Sequence, residues 1–332
     1  MKIIIDAFGG DNAPAEVIRA ARQAKDELGV EMILTGDEQK IRACAAELGV
    51  DIEDLGILHA PDVFDIHAQP TTLVREGRNT SLAVGLQAIR DGKGDAFVSA
   101  GSSGGLVTGA TLITRRIKGI KRPAMTAMLP TARNKFILLD AGANIECRPE
   151  MMLQFAVMGS AYMKCVKGIE RPRIGLLNVG AEETKGRELE LETFKLLQAS
   201  PLNFIGNAEA RELPQGGFDV VVADGFAGNM ILKLYEGMGG MFRDKLKDWF
   251  SGAGKLAALL ILGKIKEFRK QMDYKEEGGG IILGVTSPVI KAHGSSDAKA
   301  FFNAIRQAKK CVEGNMIEEI AHTVAEMKKE DA

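Results

Sequence analysis

A chain of 332 residues that is 45% hydrophobic and 26% charged can bury a full core and has the composition of an ordinary globular protein. Its 43 Lys and Arg nearly balance 44 Asp and Glu, so no global field holds nucleic acid, and a charge-driven partner must meet a local patch. The four cysteines, Cys44, Cys147, Cys165 and Cys311, lie far apart with no CxxC spacing, which fits reduced intracellular thiols rather than a disulfide scaffold. Met1–Asp6 has too short an apolar core for a signal peptide, and no apolar run approaches the ~20 residues of a membrane span.

In chain order, strand Lys2–Asp6 leads to helix Ala15–Leu28, strand Glu31–Thr35, helix Glu38–Leu48, strand Gly56–His59, helix Ser81–Asp91 and strand Asp95–Ser99. Strands Met125–Leu129 and Lys135–Asp140 follow, then helix Glu150–Val166, strand Arg173–Asn178, helix Glu188–Gln198 and strand Phe218–Ala223. Strand Gly280–Val285 and helix Asp297–Val312 come last. This alternation predicts an α/β/α sandwich with a mostly parallel sheet, a single α/β domain over 1–332. Gly168–Pro172 is where two lobes would meet, because a glycine and a proline punctuate the path from a long helix to the next strand.

Several strands end in small and polar residues: Asp6-Ala7-Phe8-Gly9-Gly10-Asp11, Asp140-Ala141-Gly142-Ala143-Asn144, Asn178-Val179-Gly180-Ala181-Glu182 and Asp224-Gly225-Phe226-Ala227-Gly228-Asn229. The carboxyl ends of strands in open α/β sheets face the ligand crevice, so these four clusters are expected to converge on one site. Glycine lets backbone N–H groups approach an anion, and the helix that follows adds its unpaired donors. A single such cluster is also what any strand-to-helix turn prefers; the repetition is what points to a site.

Gly101-Ser102-Ser103-Gly104-Gly105 fits G-x-S-x-G after a strand, with Asp224 and His293 downstream in triad order. The same residues fit an anion-binding turn with no covalent step, and the pattern alone supports both readings. Gly252-Ala253-Gly254-Lys255-Leu256-Ala257 has the loose dinucleotide spacing but follows a helical stretch ending at Trp249-Phe250, so NAD is not expected there. None of His59, His67, His293 and His322 pairs with another at metal-ligand spacing, so no metal is expected. His293 precedes a helix that Ser296 or Asp297 would cap.

Taken in order, Asp6-x-x-Gly9-Gly10-Asp11, Ser99-Ala100-Gly101, Asp140-x-Gly142-x-Asn144, Asn178-x-Gly180-x-Glu182-Glu183-x-Lys185-Gly186, Asp224-Gly225-Phe226-x-Gly228-Asn229 and Lys291-x-His293-Gly294 resemble the bacterial phosphate acyltransferase of phospholipid synthesis, essentially end to end. Two positions depart from the family pattern. Phe8 stands where the family has Met, and Ser102-Ser103-Gly104-Gly105 replaces Asn-Thr-Gly-Ala, so Ser102 lacks a side-chain amide and the G-x-S-x-G match is itself a product of the departure.

The resemblance implies transfer of an acyl group from acyl carrier protein to inorganic phosphate, without a cofactor, in a cytoplasmic homodimer associated peripherally with the inner face of the cell membrane. It also implies a product that feeds acylation of glycerol 3-phosphate, with the membrane glycerol-3-phosphate acyltransferase as a further partner, and a fold like phosphotransacetylase and the isocitrate and isopropylmalate dehydrogenases. Phosphate is already a competent nucleophile near neutral pH, so no covalent residue is required. Lys185 is then expected to grip phosphate and Asn229 to donate to phosphate or to the oxyanion, while Asp140 and Asp224 brace turns. The other motif residues, including Ser102 and Ser103, would line the substrate. A serine thioesterase using Ser103 and a non-catalytic scaffold for acyl carrier protein are the alternatives.

From Arg243 to Lys270, eight basic residues stand against Asp244, Asp248 and Glu267 beside Trp249, Phe250 and the run Leu256–Leu262. Segment 243–275 is expected to project as a basic amphipathic helix, with Lys255, Leu256, Leu259, Leu260, Leu262 and Lys264 meeting an anionic membrane or the carrier. A core or dimer-interface helix with a charged edge fits the same pattern.

Overall fold

The computed structural model describes residues 1–250, 263–264 and 276–330. Its strands are β1 (Lys2–Asp6), β2 (Glu31–Gly36), β3 (Gly56–His59), β4 (Ala96–Ser99), β5 (Ala124–Pro130), β6 (Lys135–Leu139), β7 (Ile174–Asn178), β8 (Phe204–Glu209), β9 (Val220–Val222), β10 (Gly280–Leu283) and β11 (Val289–Lys291). Its helices are α1 (Ala15–Leu28), α2 (Glu38–Leu48), α3 (Ser81–Arg90), α4 (Ser103–Gly109), α5 (Pro149–Lys167), α6 (Glu188–Ala199), α7 (Gly225–Trp249), α8 (Ala298–Glu313) and α9 (Met316–Glu330).

The side-chain alternation of the strands makes three layers. Ile3 and Ile5 of β1, with Ile137 and Leu139 of β6, pack in one cluster against Val17 and Ile18 of α1, Phe155 of α5 and Phe301 of α8. Their neighbours turn the other way, Ile4 onto Leu82 and Leu86 of α3 and Leu138 onto the cluster flanked by Ile231 and Tyr235 of α7. With both faces covered, the strands read as continuous apolar runs.

The sheet order is β3-β2-β1-β4-β11-β10-β5-β6-β9-β7-β8. Strands β3, β2, β1, β4 and β11 run parallel, as do β6, β9, β7 and β8. Antiparallel pairings of β10 with β11 and β5, and of β5 with β6, join the two sets and reverse the direction of the second. The carboxyl ends of β1 and β4 therefore lie on one edge of the sheet, and those of β6, β9 and β7 on the opposite edge.

Two expectations change. Gly168 caps α5 with φ 72° and leads into β7, yet β5, β6 and α5 before it lie in the same half of the sheet as β7, β8 and β9 after it. Gly168–Pro172 is thus a turn within one half, and the halves meet instead through β10 and β5. The sequence reading also names no strand at β8 or β11. Gly206 adopts a positive φ inside β8, and β11 has only three residues after Pro288, so neither shows a sustained period-two pattern.

Candidate active site

Strands β6, β9 and β7 are consecutive in the sheet, so the loops at their carboxyl ends adjoin. The first is fixed by Asp140, which is fully buried. Its carboxylate accepts from the backbone N–H of Met125 (2.9 Å), Ala143 (3.2 Å) and Asn144 (2.5 Å), and from Asn144 Nδ2 (3.0 Å). Burial raises its pKa above the usual carboxylate range, while these donors oppose the rise. A carboxylate so fully engaged braces the turn.

The second loop starts α7. Asp224 caps the helix by accepting from Ala227 N–H at 2.7 Å, and Gly225 N–H donates to the Asn144 carbonyl at 2.7 Å. Gly228 sits against the Asp140 carbonyl oxygen so closely that a Cβ there would overlap it. This contact presses the first turn of α7 onto the β6 loop and sets Asn229, which is exposed, beside Gly142.

The third loop is folded back by Asn178, whose Nδ2 donates to the Lys185 carbonyl at 3.0 Å and whose Oδ1 accepts from Val179 N–H at 2.8 Å. Lys185 N–H donates to the Glu182 carbonyl at 3.1 Å, which also accepts from Asn207 Nδ2 at 2.9 Å. Gly180 and Gly186 lie within this tight loop, and Glu183 is exposed on it. The Lys185 side chain is exposed, and no carboxylate among the described residues pairs with its amine. Arg187 ties this loop to α7: its guanidinium bonds Glu190, and its Nη2 donates to Asp224 Oδ2 at 2.5 Å. Those bonds, with Glu190 first and Asp224 second, raise its pKa further.

The sequence reading did not select Arg187. The available signal was Glu190 three residues after it, the spacing by which a residue at the third helical position reaches back to the start of a helix. Cys147, whose Sγ donates to the Asn144 carbonyl at 3.4 Å, is pushed by burial up to about 12 and is therefore a protonated thiol rather than a nucleophile.

Asp140, Gly142, Asn144, Asn178, Gly180, Glu183, Lys185, Gly186, Asp224, Gly225, Gly228 and Asn229 are thus brought to one edge. The expected convergence of four clusters is corrected to three. Asp6, Gly9, Gly10 and Asp11 gather with Ser99, Gly101, His293 and Gly294 at the ends of β1, β4 and β11 on the opposite edge, with Asp11 N–H donating to the Gly294 carbonyl at 2.8 Å. From β1 to β6 there are five strand steps, roughly 24 Å.

The triad order Ser103, Asp224, His293 breaks in the same way. Ser103 and His293 belong to the first edge, while Asp224 belongs to the second and is committed to Arg187 and the α7 cap. Ser102 caps α4 by accepting from Gly105 N–H at 3.3 Å, and Asp297 rather than Ser296 caps α8 by accepting from Ala300 N–H at 3.0 Å. Lys255, Leu256, Leu259, Leu260 and Leu262 lie outside the described residues, as does the Gly252–Ala257 fingerprint; Lys264 is helical and exposed. Among the described residues no helix is long and apolar enough to cross a membrane.

Residues 1–319 match the family described as fatty acid synthesis protein. The chain is 44% identical over 330 residues to the phosphate acyltransferase of Desulforamulus reducens, covering 98% of this chain and 97% of that protein. It is 45% identical over 327 residues to the phosphate acyltransferase of Caldanaerobacter subterraneus, with the same coverage. The fold superposes on the EutD phosphotransacetylase from Staphylococcus aureus with a TM-score of 0.63, at 20% identity over 93% of this chain and 94% of that one. On this sequence match the chain belongs to the phosphate acyltransferase family and is an acyltransferase.

Proposed function

We propose that this acyltransferase moves a long-chain acyl group from acyl carrier protein to inorganic phosphate, at the β6–β9–β7 edge and without a covalent enzyme intermediate. The observation that carries this reading is the pairing of engaged carboxylates with open donors: Asp140 and Asp224 are buried and hydrogen-bonded, whereas Lys185 and Asn229 stand exposed beside them. Lys185 holds phosphate and eases its approach. A phosphate oxygen attacks the thioester carbonyl, Asn229 donates to phosphate or to the oxyanion, the C–S bond breaks, and acyl phosphate leaves with the free carrier. Ile145, Val179, Phe226 and Met230 are exposed apolar side chains on the same three loops and suit an acyl chain.

The same reading makes the protein a cytoplasmic homodimer at the inner face of the membrane, supplying acyl phosphate for acylation of glycerol 3-phosphate beside the membrane glycerol-3-phosphate acyltransferase. Leu234, Met238, Met241, Phe242 and Trp249 are exposed along α7, a stripe suited to a second copy. A monomer by light scattering would remove the dimer from the account. The serine thioesterase is set aside because its acid lies on the opposite edge from Ser103.

The deciding experiment follows long-chain acyl-acyl carrier protein with and without inorganic phosphate, reading acyl phosphate by mass. Phosphate-dependent loss with acyl phosphate appearing is expected; free fatty acid released without phosphate would overturn the reading.

A further inference from the structure

Arg187 is a cation anchored from behind and open in front. Its Nε donates to Glu190 Oε1 at 3.2 Å and Oε2 at 3.1 Å, and its Nη2 bonds both Glu190 and Asp224. Those two carboxylates are 8% and 3% exposed, whereas the Arg187 side chain is 62% exposed. Its remaining nitrogen, Nη1, carries two N–H groups and has no hydrogen-bond partner among the described residues. A guanidinium clamped along one edge cannot swing away, so its free donors are presented from a fixed position two residues from Lys185.

We propose that Arg187 is a second phosphate-binding cation of this site, offering Nη1 to a phosphate oxygen while Glu190 and Asp224 hold it in place. The assignment rests on the reading of phosphate as acyl acceptor. Repulsion from the two carboxylates does not defeat it. Asp224 caps α7, and Glu190 accepts from Arg187 N–H at 2.8 Å at the start of α6, so each faces the positive end of a helix, worth roughly half a charge. Lys185, two residues away on the same exposed loop, adds a second cation. Arginine suits this position because its planar fork engages both buried carboxylates and still leaves donors for phosphate, which a single ammonium does not.

The test is calorimetric titration of inorganic phosphate into the full-length protein and its Arg187→Gln and Arg187→Lys variants, with steady-state kinetics in parallel. Arg187→Gln is expected to weaken phosphate binding and raise the phosphate KM at least about tenfold, leaving the KM of the acyl donor within about twofold, and Arg187→Lys to fall between. Unchanged phosphate affinity in both variants overturns the proposal, as does a fall in Tm and kcat with the phosphate KM unmoved, the signature of a mere brace. If Arg187→Gln does not fold, Arg187→Lys decides alone, and phosphate affinity equal to wild type overturns the assignment. Wild-type protein that binds phosphate but forms no acyl phosphate would sink the acyl-transfer reading, while the calorimetry still judges Arg187 as an anion ligand.

Discussion

The two edges of the sheet use the same vocabulary, a strand ending in an aspartate followed by glycines, for opposite ends. At the β1–β4–β11 edge the turn is closed on itself. Buried Asp6 accepts from Ser99 Oγ at 2.8 Å and from Phe8 N–H at 3.1 Å, while Ser99 Oγ accepts from Gly101 N–H at 3.0 Å. A Cβ on Gly9 would come within 2.7 Å of Asp6 Oδ2 and 2.8 Å of Gly101 N. Even the amine there is consumed, since Lys291 Nζ donates to the Ala292 carbonyl at 2.6 Å. At the β6–β9–β7 edge Asp140 and Asp224 are as fully engaged, but Lys185, Asn229 and part of Arg187 stay open to solvent. An aspartate-glycine turn becomes a candidate site when the residues that follow it keep unspent donors.

The sharpest way to break this contrast is to remove the open amine. Lys185→Ala is expected to lower phosphate-dependent turnover by about 10²- to 10³-fold, roughly 3–4 kcal/mol of transition-state stabilisation, with Tm little changed because the side chain is exposed. Full activity would place the chemistry elsewhere and make the two edges equivalent. Next in size is Gly228→Ala, whose Cβ overlaps the Asp140 carbonyl and must push α7 off the β6 loop, at a cost of about 2–3 kcal/mol. Gly217, around which a Cβ meets nothing within 4 Å, is the matched control and should change stability by no more than about 0.5 kcal/mol when replaced by Ala. Urea midpoints compare them, and equal midpoints would show that the α7 contact is not tight.

The closed edge has a test in pH. Burial pulls the Lys291 amine from 10.5 down to about 8, although Asp11 and Asp6 pull the other way. The unfolded chain therefore holds more protons than the folded one between about pH 8 and 10.5. The penalty for burying the charge is fully present below the folded value and fades as pH rises toward the unfolded one. Stability of the wild type relative to Lys291→Met is expected to rise by about 1–2 kcal/mol over that window. A flat difference between pH 7.5 and 10.5 would mean that Lys291 reaches water and that this edge is not closed.

Much of the fold is legible in the sequence because it is written in local terms. β1 as three consecutive isoleucines, the Asp37 and Asp224 caps and the Gly168 stop follow from residue preference alone, whereas preference leaves Ser296 and Asp297 equal as the cap of α8. What is not local is not legible in the sequence. The direction of β6, β7 and β9 is set by antiparallel pairings through β10, a strand more than 100 residues away from them in sequence for β6, so no spacing could show that the Asp6 cluster parts from the other three. Arg187 escaped for a related reason: a basic residue at a helix start reads as a solvated charge until Asp224, 37 residues on, is found beside it.

The smallest expected effect is also the one that guards the comparison. Ser103 is exposed at the start of α4, on the closed edge, and its triad order with Asp224 and His293 exists only along the chain. Asp224 cannot serve as its distant acid while it caps α7 and holds Arg187, and His293 Nδ1 is already 2.9 Å from Ser295 Oγ. Ser103→Ala is therefore expected to keep kcat within about twofold and stability within about 0.5 kcal/mol, as an exposed substitution away from the chemistry should. Activity assays on Ser103→Ala and Lys185→Ala from one preparation make the reading decisive. A Ser103→Ala enzyme slowed by about 10³-fold beside an unimpaired Lys185→Ala would transfer the reaction to the β1–β4–β11 edge, because the pair of results would place the reacting group on Ser103 rather than beside Lys185.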